Sequence, residues 1–178
     1  TAGAFTAAPS IQQGRYNHTA VRLKDGKVWF AGGINPAATP RYLATTERYD
    51  PTTNAFQSAS PLIEARSHHT ATVMGDGKVL VVGGFNGSEF LGNLGILQTS
   101  EIYDPLANTA TPAASMTARR QAQASVLQAN GYVLAHGGLG NITTTYITPT
   151  MTLKAGSTLS GAFNGSSMTI TGGAATID

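Results

Sequence analysis

The sequence predicts an all-β chain of four-stranded antiparallel sheets stacked face to face, and three observations carry that prediction. A Gly-Gly pair recurs at 32–33, 83–84, 137–138 and 172–173, at intervals of 51, 54 and 35 residues. Between these pairs, short β-branched and aromatic runs alternate with Asp-Gly, Asn-Gly and Asp-Pro, the dipeptides that reverse antiparallel strands. Nowhere do apolar residues fall at the i, i+3, i+4 spacing of an amphipathic helix.

Each element follows from its place in the period. Eighteen residues before the second Gly of the first three pairs stands an arginine, Arg15, Arg66 or Arg120, and four residues before each arginine stands Ile11, Leu62 or Met116. Between arginine and Gly-Gly lie Asp25-Gly26, Asp76-Gly77 and Asn130-Gly131, where a type I′ turn with φ > 0 at both central residues is expected. In the second repeat, strand a is "SHHTATVM" (67–74), b is "KVLVVGG" (78–84), c is "TSEIYD" (99–104) and d is "TATPAA" (109–114). The Asp50-Pro51 and Asp104-Pro105 steps turn c into d, which accounts for both aspartates by turn chemistry. One such sheet cannot cover both its faces; sheets stacked around an axis can, and that arrangement is a β-propeller.

Composition narrows the function. The chain has 178 residues, 11% charged, with net charge +2 and no Cys. No basic run provides the footprint of a nucleic-acid binder, and no stretch of 18 apolar residues spans a membrane as a helix. Without Cys there are no disulfides, thiolate metal sites or cysteine nucleophiles. A charge-poor, Thr/Ser/Gly-rich, Cys-free β chain fits an extracellular or cell-surface setting, bacterial by inclination.

The run of arginine, "HTA", Asp-Gly, "VLVVGG" and "EIYDP" resembles the kelch repeat of galactose-oxidase-like propellers. "RYNHTAVRLKDGKVWFAGG" (15–33) and "RSHHTATVMGDGKVLVVGG" (66–84) match closely, and "RQAQASVLQANGYVLAHGG" (120–138) more loosely. The resemblance implies one propeller unit over residues 1–178, with blades at 15–62, 66–116 and 120–156. In the family an aromatic on strand d packs near the Gly pair; Phe56 is placed for that part, and Ala110 implies looser packing in the second blade. The third repeat offers "YITP" (146–149) where Tyr-Asp-Pro stands in the others. Copper-radical oxidation in the family rests on a Tyr–Cys cross-link, which a Cys-free chain cannot form, and no cofactor is expected.

The ends carry their own expectation. "SSMTITGG" reads as a strand b and "AATID" as a strand c, so residues 157–178 with 1–11 as strand d make a closing fourth blade. The competing reading is a repeat-aligned piece of a larger propeller or array.

In a propeller the a–b and c–d hairpins share one face, and the d–a and b–c connections share the other. Long b–c loops, 34–45 and 85–98, place function on that second face. The d–a side contributes Arg15, Tyr16, Asn17, Glu64, Arg66, His68, Arg119 and Arg120 as candidate ligand-binding residues. The b–c loops contribute Arg41, Tyr42, Asn86, Glu89 and Phe90. Arg15, Arg66 and Arg120 suit a ring of guanidiniums at the central mouth, binding carboxylates or sugar hydroxyls bidentately. Because they recur with the repeat, bracing of a neighbouring blade through backbone carbonyls is the favoured reading. His18 and His69 share a register and are a pair of potential metal ligands, yet Gln123 fills the same slot, which favours a structural role. The leading expectation is a non-catalytic module binding a protein or glycan through this face. The alternatives are a structural unit of a larger assembly, and a carbohydrate-active enzyme using Arg66 with Glu64.

Overall fold

The computed structural model describes residues 7–88, 95–140 and 145–147, the last three as backbone. The expected closing blade, residues 157–178 with strand d at the N-terminus, therefore lies outside the described residues save for 7–11. No α-helix forms among the described residues.

The first sheet runs β1 (Thr19–Arg22), β2 (Val28–Ala31), β3 (Thr46–Asp50), β4 (Ala55–Ala59), each strand antiparallel to the next. The second repeats this order with β5 (Thr70–Val73), β6 (Val79–Val82), β7 (Ser100–Asp104) and β8 (Thr109–Ala113). Between them β9 (Arg120–Gln121) and β12 (Leu139–Gly140) form a short ladder at the start of the third blade. Its main sheet joins β10 (Ala124–Leu127), β11 (Val133–His136) and β13 (Thr145–Ile147). Blades 1 and 2 are thus four-stranded and antiparallel, and β1, β5 and β10, the first strands, lie side by side.

Each blade has a rear face towards the preceding blade and a front face towards the next. Period-2 alternation assigns the residues. The front of blade 1 (Trp29, Ala31, Leu23) packs on the rear of blade 2 (Val79, Val81, Tyr103), all buried. The front of blade 2 (Leu80, Val82, Met74) packs on the rear of blade 3 (Val133, Ala135). Trp29 stacks on Tyr103 with ring centroids 4.3 Å apart and planes 5° from parallel.

Four expectations are corrected here. The Asp-Gly turns are not type I′. Leu23 O accepts from Gly26 N at 3.1 Å and Leu23 N donates to Lys27 O at 2.8 Å. Only the glycine sits at positive φ, +87° at Gly26 and +92° at Gly77. This is a three-residue loop in which a type I turn is followed by a left-handed glycine. The Asp or Asn before that glycine serves as an acceptor instead: Asp25, Asp76 and Asn130 each take the backbone N–H two residues on, at 3.0–3.1 Å.

Phe56 does not approach the Gly pair. It lies opposite Tyr49, and its ring meets Phe30 and Tyr49 at 5.5 and 5.1 Å. Blade 2 is not loosened by Ala110, because Trp29 from blade 1 covers the Tyr103 ring that Ala110 faces in register. In the third blade, Ile147 pairs with Val133 as Tyr103 pairs with Val79. The tyrosine of "YITP" is thus one place out of step with the other two.

Candidate functional site

The three repeated arginines turn inward, each into its own blade. Arg66 Nη1 donates to Gly83 O at 2.7 Å and Thr99 O at 3.1 Å, while Nη2 reaches Thr99 Oγ1 at 3.2 Å and Glu101 Oε1 at 2.7 Å. Arg15 makes the same set: Gly32 O, Thr45 O, Thr45 Oγ1 and Glu47 Oε1 at 2.7, 2.9, 3.3 and 2.8 Å. Arg120 Nη1 donates to Gly137 O at 3.0 Å. The expected ring of guanidiniums at the mouth is therefore corrected: the charge of Arg15 and Arg66 is neutralised inside the blade. The bracing reading holds with one change, since the side chain ties strands b and c of its own blade.

The neighbouring blade is held by the same residue's backbone. Gly33 N donates to Arg66 O at 2.8 Å, and Gly84 N to Arg120 O at 2.9 Å. A Cβ on Gly32 would lie 2.4 Å from Arg66 O, and one on Gly83 2.6 Å from Arg120 O. The Gly-Gly pair exists because two blades touch backbone to backbone there.

Two glutamates, unremarked in the sequence reading, complete the device. Glu101 accepts Ile63 N at 2.6 Å and Glu64 N at 3.1 Å besides Arg66. Glu47 likewise takes Gln12 N at 2.7 Å and Gln13 N at 3.1 Å. Each buried carboxylate thus anchors the d–a connection that enters its blade. The available signal was a charged residue at matching strand-c positions, "TERYD" and "SEIYD", in a chain with few charges.

The histidine slot is a bridge between blades rather than a metal site. His69 Nε2 hydrogen-bonds Thr19 Oγ1 of blade 1 at 2.8 Å. Gln123 copies the contact one blade on, with Nε2 3.4 Å from Thr70 Oγ1 and 2.7 Å from Val82 O. Burial, with the Arg66 charge beside it, holds the His69 pKa down to about 3. Burial lowers His18 as well. No cluster of three or more His, Cys, Asp or Glu able to hold a metal occurs among the described residues.

The remaining candidates divide by exposure. Asn17, His68 and Ala122, each two residues after a repeated arginine, share a left-handed backbone with φ 53°. They link around the axis, His68 N to Asn17 O at 3.0 Å and Ala122 N to His68 O at 2.8 Å. Glu64 is drawn into a network with Asn86 Nδ2 at 3.1 Å and Thr99 Oγ1 at 2.7 Å, 3.5 Å from Arg66 Nη2. The Arg66–Glu64 pair expected of an enzyme mouth is an ion pair in which the arginine is fully buried and the glutamate partly exposed. Arg119 Nη1 donates to Ile96 O at 3.0 Å, and Tyr42 packs edge-on against Phe85 at 5.5 Å. Tyr16 and Arg41 remain exposed on this face. Glu89 and Phe90 lie outside the described residues. A cavity of about 250 Å³ lies beside blade 1, lined by Gln12, Gln13, Thr45, Glu47, Ser58 and Pro61 among others.

The kelch motif model matches residues 65–117, from the entry into blade 2 to the end of its strand d. Residues 65–117 thus carry a kelch motif, which with the blade architecture supports a kelch-repeat propeller. The chain is similar to Kelch-like protein 33 of Homo sapiens, 29% identical over 138 residues, which cover 78% of this chain and 24% of that protein. Among solved structures it is similar to a fungal alcohol oxidase of the AA5 family in complex with copper. That likeness has a TM-score of 0.61 at 20% identity, covers 76% of this chain and 31% of the oxidase chain, and speaks to fold alone. The chain therefore spans a quarter to a third of the length of these two proteins.

Proposed function

We propose that this kelch chain binds a protein partner through the face formed by its d–a and b–c connections, and does so outside or at the surface of a bacterial cell. The observation that carries the reading is the division of labour on that face. The repeated charges, Arg15, Arg66, Glu47 and Glu101, are consumed internally and hold the connections rigid. What is left outward is non-repeating: Tyr16 at 46% exposure, Ile63 at 57%, and the Arg41 side chain. Aromatic and arginine side chains on a rigid frame are the residue types that concentrate protein-binding energy. Kelch propellers are typically protein-interaction modules, which supports the same choice. The charge-poor, Thr/Ser/Gly-rich composition supports the extracellular setting.

The test is partner capture by cross-linking from the native host with two triple variants. Tyr16→Ala/Arg41→Ala/Ile63→Ala should lose the partner. Asp50→Ala/Asp104→Ala/Leu106→Ala, on the opposite face, should keep it. Equal retention by both, or binding of the chain to a glycan array with no captured protein, would overturn the protein-partner reading. Protease accessibility of the chain on intact cells tests the compartment.

A further inference from the structure

The cavity of about 250 Å³ beside blade 1 lies where the repeat keeps its frame but changes its chemistry. The frame is shared by both blades. Gln12 N and Gln13 N donate to Glu47 Oε2 and Oε1 at 2.7 and 3.1 Å, as Ile63 N and Glu64 N donate to Glu101 Oε2 and Oε1 at 2.6 and 3.1 Å. The lining is not shared. Gln12 and Gln13 stand where blade 2 has Ile63 and Glu64, and Ser58, paired with Glu47, stands where blade 2 has Pro112, paired with Glu101. Blade 1 thus lines this hollow with uncharged polar side chains that blade 2 does without.

Their hydrogen-bonding capacity is only partly used. Gln12 Nε2 donates to Phe56 O at 3.2 Å, and Gln12 Oε1 accepts from Ser58 Oγ at 2.9 Å. Gln13 Oε1 accepts from Thr45 Oγ1, whereas Gln13 Nε2 donates to no described residue. An amide nitrogen has two N–H groups and a hydroxyl oxygen two lone pairs. One donor of Gln12, both donors of Gln13 and the Ser58 lone pairs therefore remain available. The hollow carries no uncompensated charge, because Glu47 is paired with Arg15 at 2.8 Å. Ala59 and Pro61 add an apolar wall. A sugar fits this mixture, since its hydroxyls both donate and accept while the C–H face of its ring packs on apolar surface. We propose that the cavity binds one neutral sugar ring, with Gln12, Gln13 and Ser58 taking its hydroxyls and Pro61 and Ala59 lying against its C–H face. These residues are separate from Tyr16, Arg41 and Ile63, so a bound sugar and a bound protein are distinguishable.

The test is an NMR titration of the full chain with the methyl glycosides of glucose, galactose and mannose, with glycerol as the control that has hydroxyls but no ring. Side-chain amide signals of Gln12 and Gln13 should shift with at least one glycoside and not with glycerol. The signal of Gln123, buried between blades, should stay in place. Gln13→Glu is the deciding variant. Blade 2 already carries Glu64 in this slot, where it accepts from Thr99 Oγ1 at 2.7 Å and lies 3.5 Å from Arg66. The fold therefore accommodates the change while both free donors disappear. Affinity should drop about tenfold, the effect of leaving a hydrogen bond unmade, with the melting temperature held. Ser58→Leu, at an exposed strand position, should fill the hollow and abolish binding. Tyr16→Ala/Arg41→Ala/Ile63→Ala should bind the glycoside as the parent chain does. Three results would overturn the sugar site: no shift with any glycoside, equal shifts with glycerol, or undiminished affinity in Gln13→Glu.

Discussion

Glu101 is the residue on which most depends. It accepts two backbone amides and the Arg66 guanidinium, while itself being 3% exposed. Removing one member of a buried pair strands the other's charge, at a cost of about 3–5 kcal/mol. Glu101→Ala should lower stability by that order in urea unfolding. Arg66→Lys should cost about 2 kcal/mol, since an ammonium cannot reach Gly83, Thr99 and Glu101 together as the planar guanidinium does. His69 yields a prediction in pH. Its native pKa lies near 3 against an ordinary 6.5, so between these values the unfolded chain binds a proton that the native chain does not. Stability then falls as pH falls through that window, by up to about 1.4 kcal/mol per unit, and the contribution is intact above 6.5. His69→Gln, which installs the third repeat's own solution, should remove that part of the slope and leave stability at pH 7 nearly unchanged. The arginines and histidines were legible in the sequence as repeated positions. Their partners were not, because Glu47 and Glu101 act on connections that the fold, not the chain order, brings to them.

At the scale of the element, turns and Gly pairs separate into two kinds of glycine. Gly77 holds φ +92° in an exposed loop, where the nearest foreign atoms belong to the flexible Lys24 side chain. Gly77→Ala should cost about 1 kcal/mol, the strain of a left-handed alanine. Gly84 has φ +104°, but a Cβ there would lie 2.5 Å from Ser67 O, a backbone atom that cannot swing away. Gly84→Ala should therefore cost at least about twice as much as the turn substitution, with thermal melting as the measure. The hairpins were readable because Asp-Gly and Asn-Gly mark a reversal whatever its turn type. The turn type was not, since Asp25 accepts its hydrogen bond without entering the left-handed region. Strand c of the third blade was misregistered for a related reason. "YITP" matches the motif by letters, whereas pairing with β11 places Ile147 opposite Val133.

For the whole molecule, the arginine's double role joins sheets that the sequence presents as separate repeats. Its side chain closes strands b and c of one blade, and its carbonyl receives the glycine of the blade before. Neighbouring blades thus share a residue, and stability should spread along the stack as nearest-neighbour terms do in repeat proteins. The stacking order itself was legible, because only a ring or row of such sheets covers both faces of each. The interface chemistry was not, since Trp29 and Tyr103 stand more than seventy residues apart and meet only once blade 1 lies on blade 2. That meeting has a practical consequence. Trp29 is the chain's single tryptophan, fully buried in the joint between these two blades. Its intrinsic fluorescence is consequently a local gauge of that one joint. An emission shift that precedes the loss of far-ultraviolet dichroism would mean that the first joint opens before the sheets themselves come apart.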